Sequence, residues 1–500
     1  MMINWIKDKW QENIFHKIWI FAMIWSLIFL ALWMAVAFIG AILYAWYYYP
    51  SVNFKNWFAS IFESWVTETS FGVSFLIFMG CLFYYFYINF EKWNPKNSKL
   101  KNEAKSQIKE FKKLGSTNLI NLNKKVGLVK SKLNQHTLLI GATGSGKTTT
   151  ALSIINQLVY KLNQTVIIID GKGDSDLINK VKAIDNNAFI WTINSDNEYN
   201  PLASKSHVIL ADKIMSLFDF SEPHYQAVAH RYILLLINSL MENNIQITLE
   251  NIINYFSLSK LGTIIDINNQ ENLELFSSFK LNDIKGLYYR LSIYNEQLKK
   301  SIGIQNDLTK IVKNHKVILF SLNSLSYPEL ASNIGKLLIQ DLKEFASIKP
   351  QNQHINLVLD EFNVFASDSI INLINKTRSF NYQCFLCFQV TDDLSTDKKK
   401  LLNTIFGNVG NIIAHKVSDV ESPEYIAKVF GTRTVEKITK QYDTKNKKSS
   451  KGSIREVEEY IVHPNDLKRL KTGQAYCKIL LTNANQFIKK IDIKNSELEK

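Results

Sequence analysis

The sequence predicts an α/β fold with a parallel sheet, interrupted by an all-α insertion and preceded by two apolar spans. Three observations predict it. Thr137-Leu138-Leu139-Ile140 reads as a short buried strand that enters a glycine-rich turn, and apolar residues at helical spacing follow (Ala151, Ile154, Ile155, Leu158, Leu162). Thr165-Val166-Ile167-Ile168-Ile169-Asp170 is a continuous β-branched run, as in a strand buried on both faces, and completes a βαβ unit. Residues 18–46 and 71–90 carry no charge and are long enough to cross a bilayer.

The spans bracket a short loop with Tyr47, Tyr48, Tyr49, Trp57 and Trp65, aromatic residues suited to the membrane interface. Lysines crowd the segments outside the spans (Lys7, Lys9, Lys17; then Lys92, Lys96, Lys99, Lys101, Lys105, Lys109, Lys112, Lys113), while the loop has Lys55 alone. Both termini are therefore expected to be cytoplasmic, with a short external hairpin. The lysine run has two readings: a topology signal facing lipid headgroups, or a contact for nucleic acid. The net charge of +14 suits either polyanion and says nothing of fold. Four scattered cysteines (Cys81, Cys384, Cys387, Cys477) make no disulfide framework. Cys384-x-x-Cys387 lies inside an apolar strand with no second pair and no nearby histidine, so core packing is preferred to metal binding.

Gly141-Ala142-Thr143-Gly144-Ser145-Gly146-Lys147-Thr148 fills the pattern GxxxxGK[ST] without mismatch, and Thr149 opens the helix. Strand, loop and helix in this order make a phosphate cradle: glycines let successive N–H groups point inward, and the helix N-terminus adds a positive end. Lys147 neutralises the β- and γ-phosphates of ATP, and the Thr148 hydroxyl can ligate Mg²⁺. The competing reading is a chance glycine-rich turn, which this context disfavours.

From residue 206 helical periodicity dominates until about 305 (208–218, 225–241, 249–256, 287–300), the expected all-α domain. Sheet signals return at 317–322 and, after a helix from 329 to 346, at Ile355-Asn356-Leu357-Val358-Leu359-Asp360-Glu361. An apolar strand ending in two acids suits the glycine loop: Asp360 for Mg²⁺, Glu361 as general base toward a water near the γ-phosphate. Gln389, near the end of the buried strand 383–390, is a candidate to sense the γ-phosphate; the plainer reading is a polar strand end. Arg378 is a candidate arginine finger toward a neighbouring subunit, or else a surface ion pair; Arg433 is a second candidate. Residues 443–453 read as a solvated polar loop, 461–481 as strand–turn–strand, and 486–500 as a tail. The expected domains are 1–113 (anchor and basic juxtamembrane segment), 114–205 with 306–485 (nucleotide-binding), 206–305 (all-α) and 486–500.

Taken in order, these motifs resemble the type IV secretion coupling proteins, the conjugation ATPases of the TraG/TraD type. The resemblance rests on the two spans and the glycine loop, then Asp170-Gly171-Lys172-Gly173-Asp174, Asn200-Pro201-Leu202, Leu359-Asp360-Glu361-Phe362, Thr377-Arg378-Ser379-Phe380 and Gln389. Gly407-Asn408, Gly431-Thr432, His463-Pro464-Asn465-Asp466-Leu467 and Gly473-Gln474 complete it. It implies a RecA-like ATPase domain in a membrane-anchored motor of the bacterial inner membrane, working as a ring of six. ATP and Mg²⁺ are the implied cofactors. Implied partners are DNA gripped without regard to sequence, a relaxase or its relaxosome proteins, and the secretion channel. A motor for protein effectors and a nucleotide-gated scaffold stay as rivals. A metalloprotease lacks its His-Glu-x-x-His, and an ABC transporter its signature after the glycine loop.

Overall fold

The computed structural model describes residues 108–493, apart from 267, 367, 378–379, 392–398, 443–448 and 483–485, together with four isolated helical positions, Ile39, Leu43, Tyr47 and Gly80. The chain divides into two units, 1–102 and 103–500. Apart from those four positions the expected spans lie outside the described residues, as does Arg378. Among the described residues no helix is long and apolar enough to cross a membrane.

In the second unit, β1 (Leu119–Asn121) and β2 (Gly127–Val129) form a small antiparallel pair. The main strands follow: β3 (Thr137–Ile140), β4 (Thr165–Asp170), β5 (Phe189–Thr192), β6 (Val317–Ser321), β7 (Ile355–Asp360), β8 (Tyr382–Phe388) and β9 (Asn411–Ala414). β10 (Thr432–Tyr442) and β11 (Ser449–Tyr460) form a separate antiparallel ribbon. β12 (Gln474–Leu480) and β13 (Gln486–Asp492) return to the main sheet. That nine-stranded sheet has the order β13-β12-β9-β3-β8-β7-β4-β6-β5. β3 to β9 run parallel, and β12 and β13 add an antiparallel edge.

One strand, β8, therefore separates the glycine-loop strand β3 from the acidic strand β7. This order brings the ends of β3, β8 and β7 to one rim of the sheet, and a ligand site of an α/β sheet forms outside such carboxyl ends. Alternation assigns the two faces. Val166 and Ile168 belong to the core shared with helices α1 (Lys147–Tyr160) and α2 (Ser175–Ile184). Ile167 and Ile169 belong to the core on the other side.

That other core takes in the insertion between β5 and β6: α3 (His207–Met215), α4 (Pro223–Glu242), α5 (Leu249–Asn254), α6 (Leu258–Leu261), α7 (Gln270–Ser278), α8 (Leu281–Leu298) and α9 (Leu308–Asn314). The helices start where the sequence supplies caps. Ser206, Thr248, Ser257, Asn269 and Asp307 each accept a hydrogen bond from a backbone N–H in the first turn. α10 (Pro328–Ile348) follows β6. The insertion is tied to it by a buried ionic group: Lys213 Nζ on α3 donates to Asp341 Oδ1 (2.6 Å) and to the Pro201 carbonyl (2.8 Å), and lies 2.6 Å from Glu344 Oε2. The Tyr199 hydroxyl donates to the second oxygen of Asp341.

Three expectations need correction. Residues 486–492 are not tail but the edge strand β13, whose Phe487 is fully buried. Its apolar positions are diluted by Lys489 and Lys490, which hides the alternation. Residues 108–113, expected in the membrane anchor, are helical and belong with the second unit. Phe111 is buried against Phe487 with ring centroids 5.2 Å apart, edge to face. The region 443–453 is only in part a loop: Ser449 begins β11, and the whole ribbon went unread because its residues lack period-two apolar alternation.

Candidate nucleotide site

The site is built on the carboxyl ends of β3, β7, β8 and β4. Beyond β3 the glycine loop turns sharply, with Gly144 at φ 75° and Gly146 at φ 103°, left-handed values that favour glycine. The turn delivers Lys147 to the first position of α1. Its ammonium donates to Glu361 Oε1 at 3.2 Å. The same oxygen accepts from Gln389 Nε2 at 2.8 Å, and Gln389 Oε1 accepts from the Thr143 hydroxyl at 2.8 Å. Thr143, Gln389, Glu361 and Lys147 thus form one hydrogen-bonded chain across β3, β8 and β7. The position of β8 is what makes this possible, since Gln389 follows the strand lying between the other two.

Glu361 lies just past β7 in a left-handed turn, φ 49° and ψ 44°. Such a conformation in a residue other than glycine is held only by its surroundings. Its carbonyl is packed against Gly171, where a Cβ would come within 2.7 Å. Asp360 is nearly buried, and its carboxyl is pushed up to about 6. Burial is the largest cause; the neighbouring carboxylates of Glu361 and Asp170 add to it, and the Lys147 ammonium opposes it. Asp170 stands beside Asp360 in register at the end of β4. Its carboxylate accepts from the backbone N–H groups of Lys172 (2.9 Å), Gly173 (3.0 Å) and Asp174 (3.0 Å), which folds the 171–174 turn over the rim.

The cleft enclosed by these groups has a volume of about 230 Å³. Ala142, Thr143, Gly144, Gly146, Thr148 and Thr149 line it beside Lys147, Asp360, Glu361 and Gln389. Gly141 and Ser145 do not. A Cβ on Gly141 would fall 2.6 Å from both His415 Cβ and Ser145 Oγ, so this glycine is required by packing beneath the loop. The Ser145 hydroxyl is buried there without a protein partner. Arg433 is exposed on β10, opposite Glu459, and is not part of the cleft. Cys384 and Cys387 are fully buried in β8, as core packing requires, and burial holds the Cys387 thiol well above its usual range.

The residues present fit a nucleotide with its metal. The Thr148 hydroxyl and Asp360 carboxylate line one cleft and are hard oxygen donors of the kind Mg²⁺ takes. A Cβ added to Gly144 would meet nothing within 4 Å, so the space beside this glycine is open.

Sequence reasoning missed three contributors. Asp170 reads in the sequence as a strand end and as part of the 170–174 motif, with no role in the cleft. Thr472 lines the cleft from a turn 328 residues away, its hydroxyl donating to the Gly144 carbonyl at 3.2 Å. His415 is fully buried under the loop. Its Nδ1 faces the Gln474 carbonyl at 3.2 Å and its Nε2 lies 3.0 Å from the Thr150 hydroxyl. These partners assign the proton to Nδ1. Burial pushes the imidazole down to about 4.

Comparison with known proteins finds relatives of both sequence and fold. Residues 354–472 match the family described as the TraM recognition site of TraD and TraG, and residues 113–351 match the central domain of the helicase HerA. The type 4 coupling protein DotL of Legionella pneumophila is 22% identical over 508 aligned positions, covering 81% of this chain. The chain spans 65% of the length of that curated relative. The match at 354–472 and the likeness to this relative both support a type IV coupling protein. Solved structures show the shared fold. The unbound conjugative coupling protein TrwB superposes with a TM-score of 0.58 at 13% identity, over 77% of this chain and 90% of that one. TrwB in complex with ADP and Mg²⁺ gives 0.56 at 13% identity, over 75% and 88%. VirB4 of Thermoanaerobacter pseudethanolicus gives 0.52 at 13% identity, over 77% and 98%. The likeness is one of fold: an α/β, RecA-like arrangement like that of TrwB, with a large mixed sheet.

Proposed function

We propose that this chain is a membrane-anchored ATPase that couples a relaxase–DNA complex to a type IV secretion channel. The observation that carries the reading is the chain Thr143–Gln389–Glu361–Lys147 above the strand ends, because it joins a phosphate-binding loop to a base. Lys147 and the loop amides bind the β- and γ-phosphates of ATP; Thr148 and Asp360 hold Mg²⁺. When bound, the cation neutralises phosphate charge. Glu361 orients the attacking water and takes its proton. Gln389 bridges Glu361 to the glycine loop and so senses whether the γ-phosphate is in place.

The apolar segments 18–46 and 71–90 support a two-pass inner-membrane anchor with the ATPase unit in the cytoplasm. The match to a TraM recognition site supports relaxosome partners, and the +14 net charge supports DNA held through its backbone. A ring of six, with Arg378 reaching a neighbour's nucleotide, belongs to the same proposal.

The test is ATP hydrolysis by the full chain with and without single- and double-stranded DNA, at low and high salt. Stimulation by DNA that weakens with salt and vanishes in Lys147→Ala is the expected result. Hydrolysis indifferent to DNA at every salt concentration would move the reading to protein export. Absence of nucleotide turnover under all conditions would leave a docking scaffold.

A further inference from the structure

The cleft raises a question about its own construction. A phosphate cradle points its N–H groups inward, so its carbonyls point away and need donors from elsewhere. The Gly146 carbonyl is served from within the helix, by the Thr150 amide at 3.0 Å. The two carbonyls before it are served by a turn far along the chain. The Thr472 hydroxyl donates to the Gly144 carbonyl at 3.2 Å, and the Gly473 amide donates to the Ser145 carbonyl at 3.0 Å.

That turn is itself braced. The Gln474 amide donates to the Lys471 carbonyl at 2.9 Å, and the Ile493 amide to the Gly473 carbonyl at 2.8 Å. The Gln474 side chain donates to Asp492 Oδ1 at 2.8 Å, and its carbonyl accepts from His415. Gly473, at φ 77°, comes so near the loop that a Cβ on Gly146 would stand 3.1 Å from its nitrogen. Thr472 is placed beside the cleft by a turn with little freedom to withdraw.

We propose that Thr472 is a positioning residue for nucleotide binding: its hydroxyl pins the Gly144–Ser145 peptide, whose amide closes the turn of the loop on the Ala142 carbonyl at 3.1 Å, and so holds the loop in the shape that receives phosphate. Its role rests on the nucleotide reading of the cleft. The bond is local to the loop, so its loss weakens binding without loosening the sheet.

The experiment compares the full chain as wild type, Thr472→Val, Thr472→Ser and Lys147→Ala, reading KM and kcat for ATP hydrolysis and the thermal midpoint without nucleotide. Valine keeps the shape and removes the donor. It is expected to raise KM about fivefold, the effect of losing one net hydrogen bond, with a smaller change in kcat and an unchanged midpoint. Serine restores the hydroxyl and brings KM back toward wild type. An unchanged KM in Thr472→Val overturns the proposal. So does a serine variant as weak as valine, or a valine variant that has lost its fold. The wild-type and Lys147→Ala arms separate the two levels. If wild type neither binds nor turns over ATP, or Lys147→Ala behaves like wild type, the nucleotide reading itself falls and this inference with it.

Discussion

Lys147 is the residue on which two chemistries converge. Glu361 holds its ammonium at 3.2 Å, and a γ-phosphate would draw on the same charge. Once Lys147 turns to phosphate, Glu361 keeps the Gln389 amide and gains a lone pair free to accept from a water. Glu361→Gln is therefore expected to leave nucleotide binding in place and lower phosphate release by about 10²–10⁴-fold, read by single-turnover hydrolysis beside equilibrium binding. His415 gives a second prediction, on stability. Its folded value of about 4 lies below the ordinary 6.5, so between those pH values the unfolded chain binds a proton that the folded chain does not. Stability falls as pH drops through that window, by roughly 3 kcal/mol at most. Asp360, raised to about 6, opposes it below pH 6, since there the folded chain holds the extra proton. Denaturant midpoints taken from pH 7 to 4.5 should show a shallower acid-side loss in His415→Gln than in wild type; an identical slope refutes the assignment. Lys147, Asp360, Glu361 and Gln389 were legible because each ends or follows an apolar strand. His415 and Thr472 were not, because their contacts with the loop helix and the loop span 265 and 328 residues and no spacing announces them.

Among the elements, the junction of α3 and α10 concentrates the most charge in the least water. Lys213 is almost completely buried and held by two carboxylates. Removing one partner from such a group leaves charge stranded where it cannot be solvated. Lys213→Ala should cost about 3–5 kcal/mol, seen as a lower urea midpoint. The parallel strands were readable as β-branched runs because both faces of each are covered. The β10–β11 ribbon carries polar residues at successive positions and so lacks the signal that betrays a half-buried strand. Periodicity also blurred the ends of the helical insertion: α7 has no fully buried residue, and nothing in its composition separates it from a loop.

For the molecule as a whole, the unit that carries the nucleotide site starts at about residue 103 rather than 114. Its first described helix meets the last strand through Phe111 and Phe487, and the residues just past β12 through the Thr482 hydroxyl, which donates to Glu110 at 2.7 Å. The basic composition of 99–113 disguised this, since Lys109, Lys112 and Lys113 share the helix 108–114 with the buried Phe111. Phe111→Ala in the full chain should lower stability by about 3–5 kcal/mol, the range for emptying a buried phenylalanine site, with the shift read in the thermal midpoint. No change would mean that the segment belongs to the anchor after all.

The brace on the glycine loop has a consequence for the birth of the protein. Gly144 leaves the ribosome 328 residues ahead of Thr472, a delay of roughly half a minute at ordinary rates of synthesis. Until that turn emerges, the Gly144 and Ser145 carbonyls lack their donors. The edge strands that hold the turn come later still. A nascent chain therefore carries a complete glycine-loop motif long before that loop is braced, and the loop takes its final form only after residue 473 has been made.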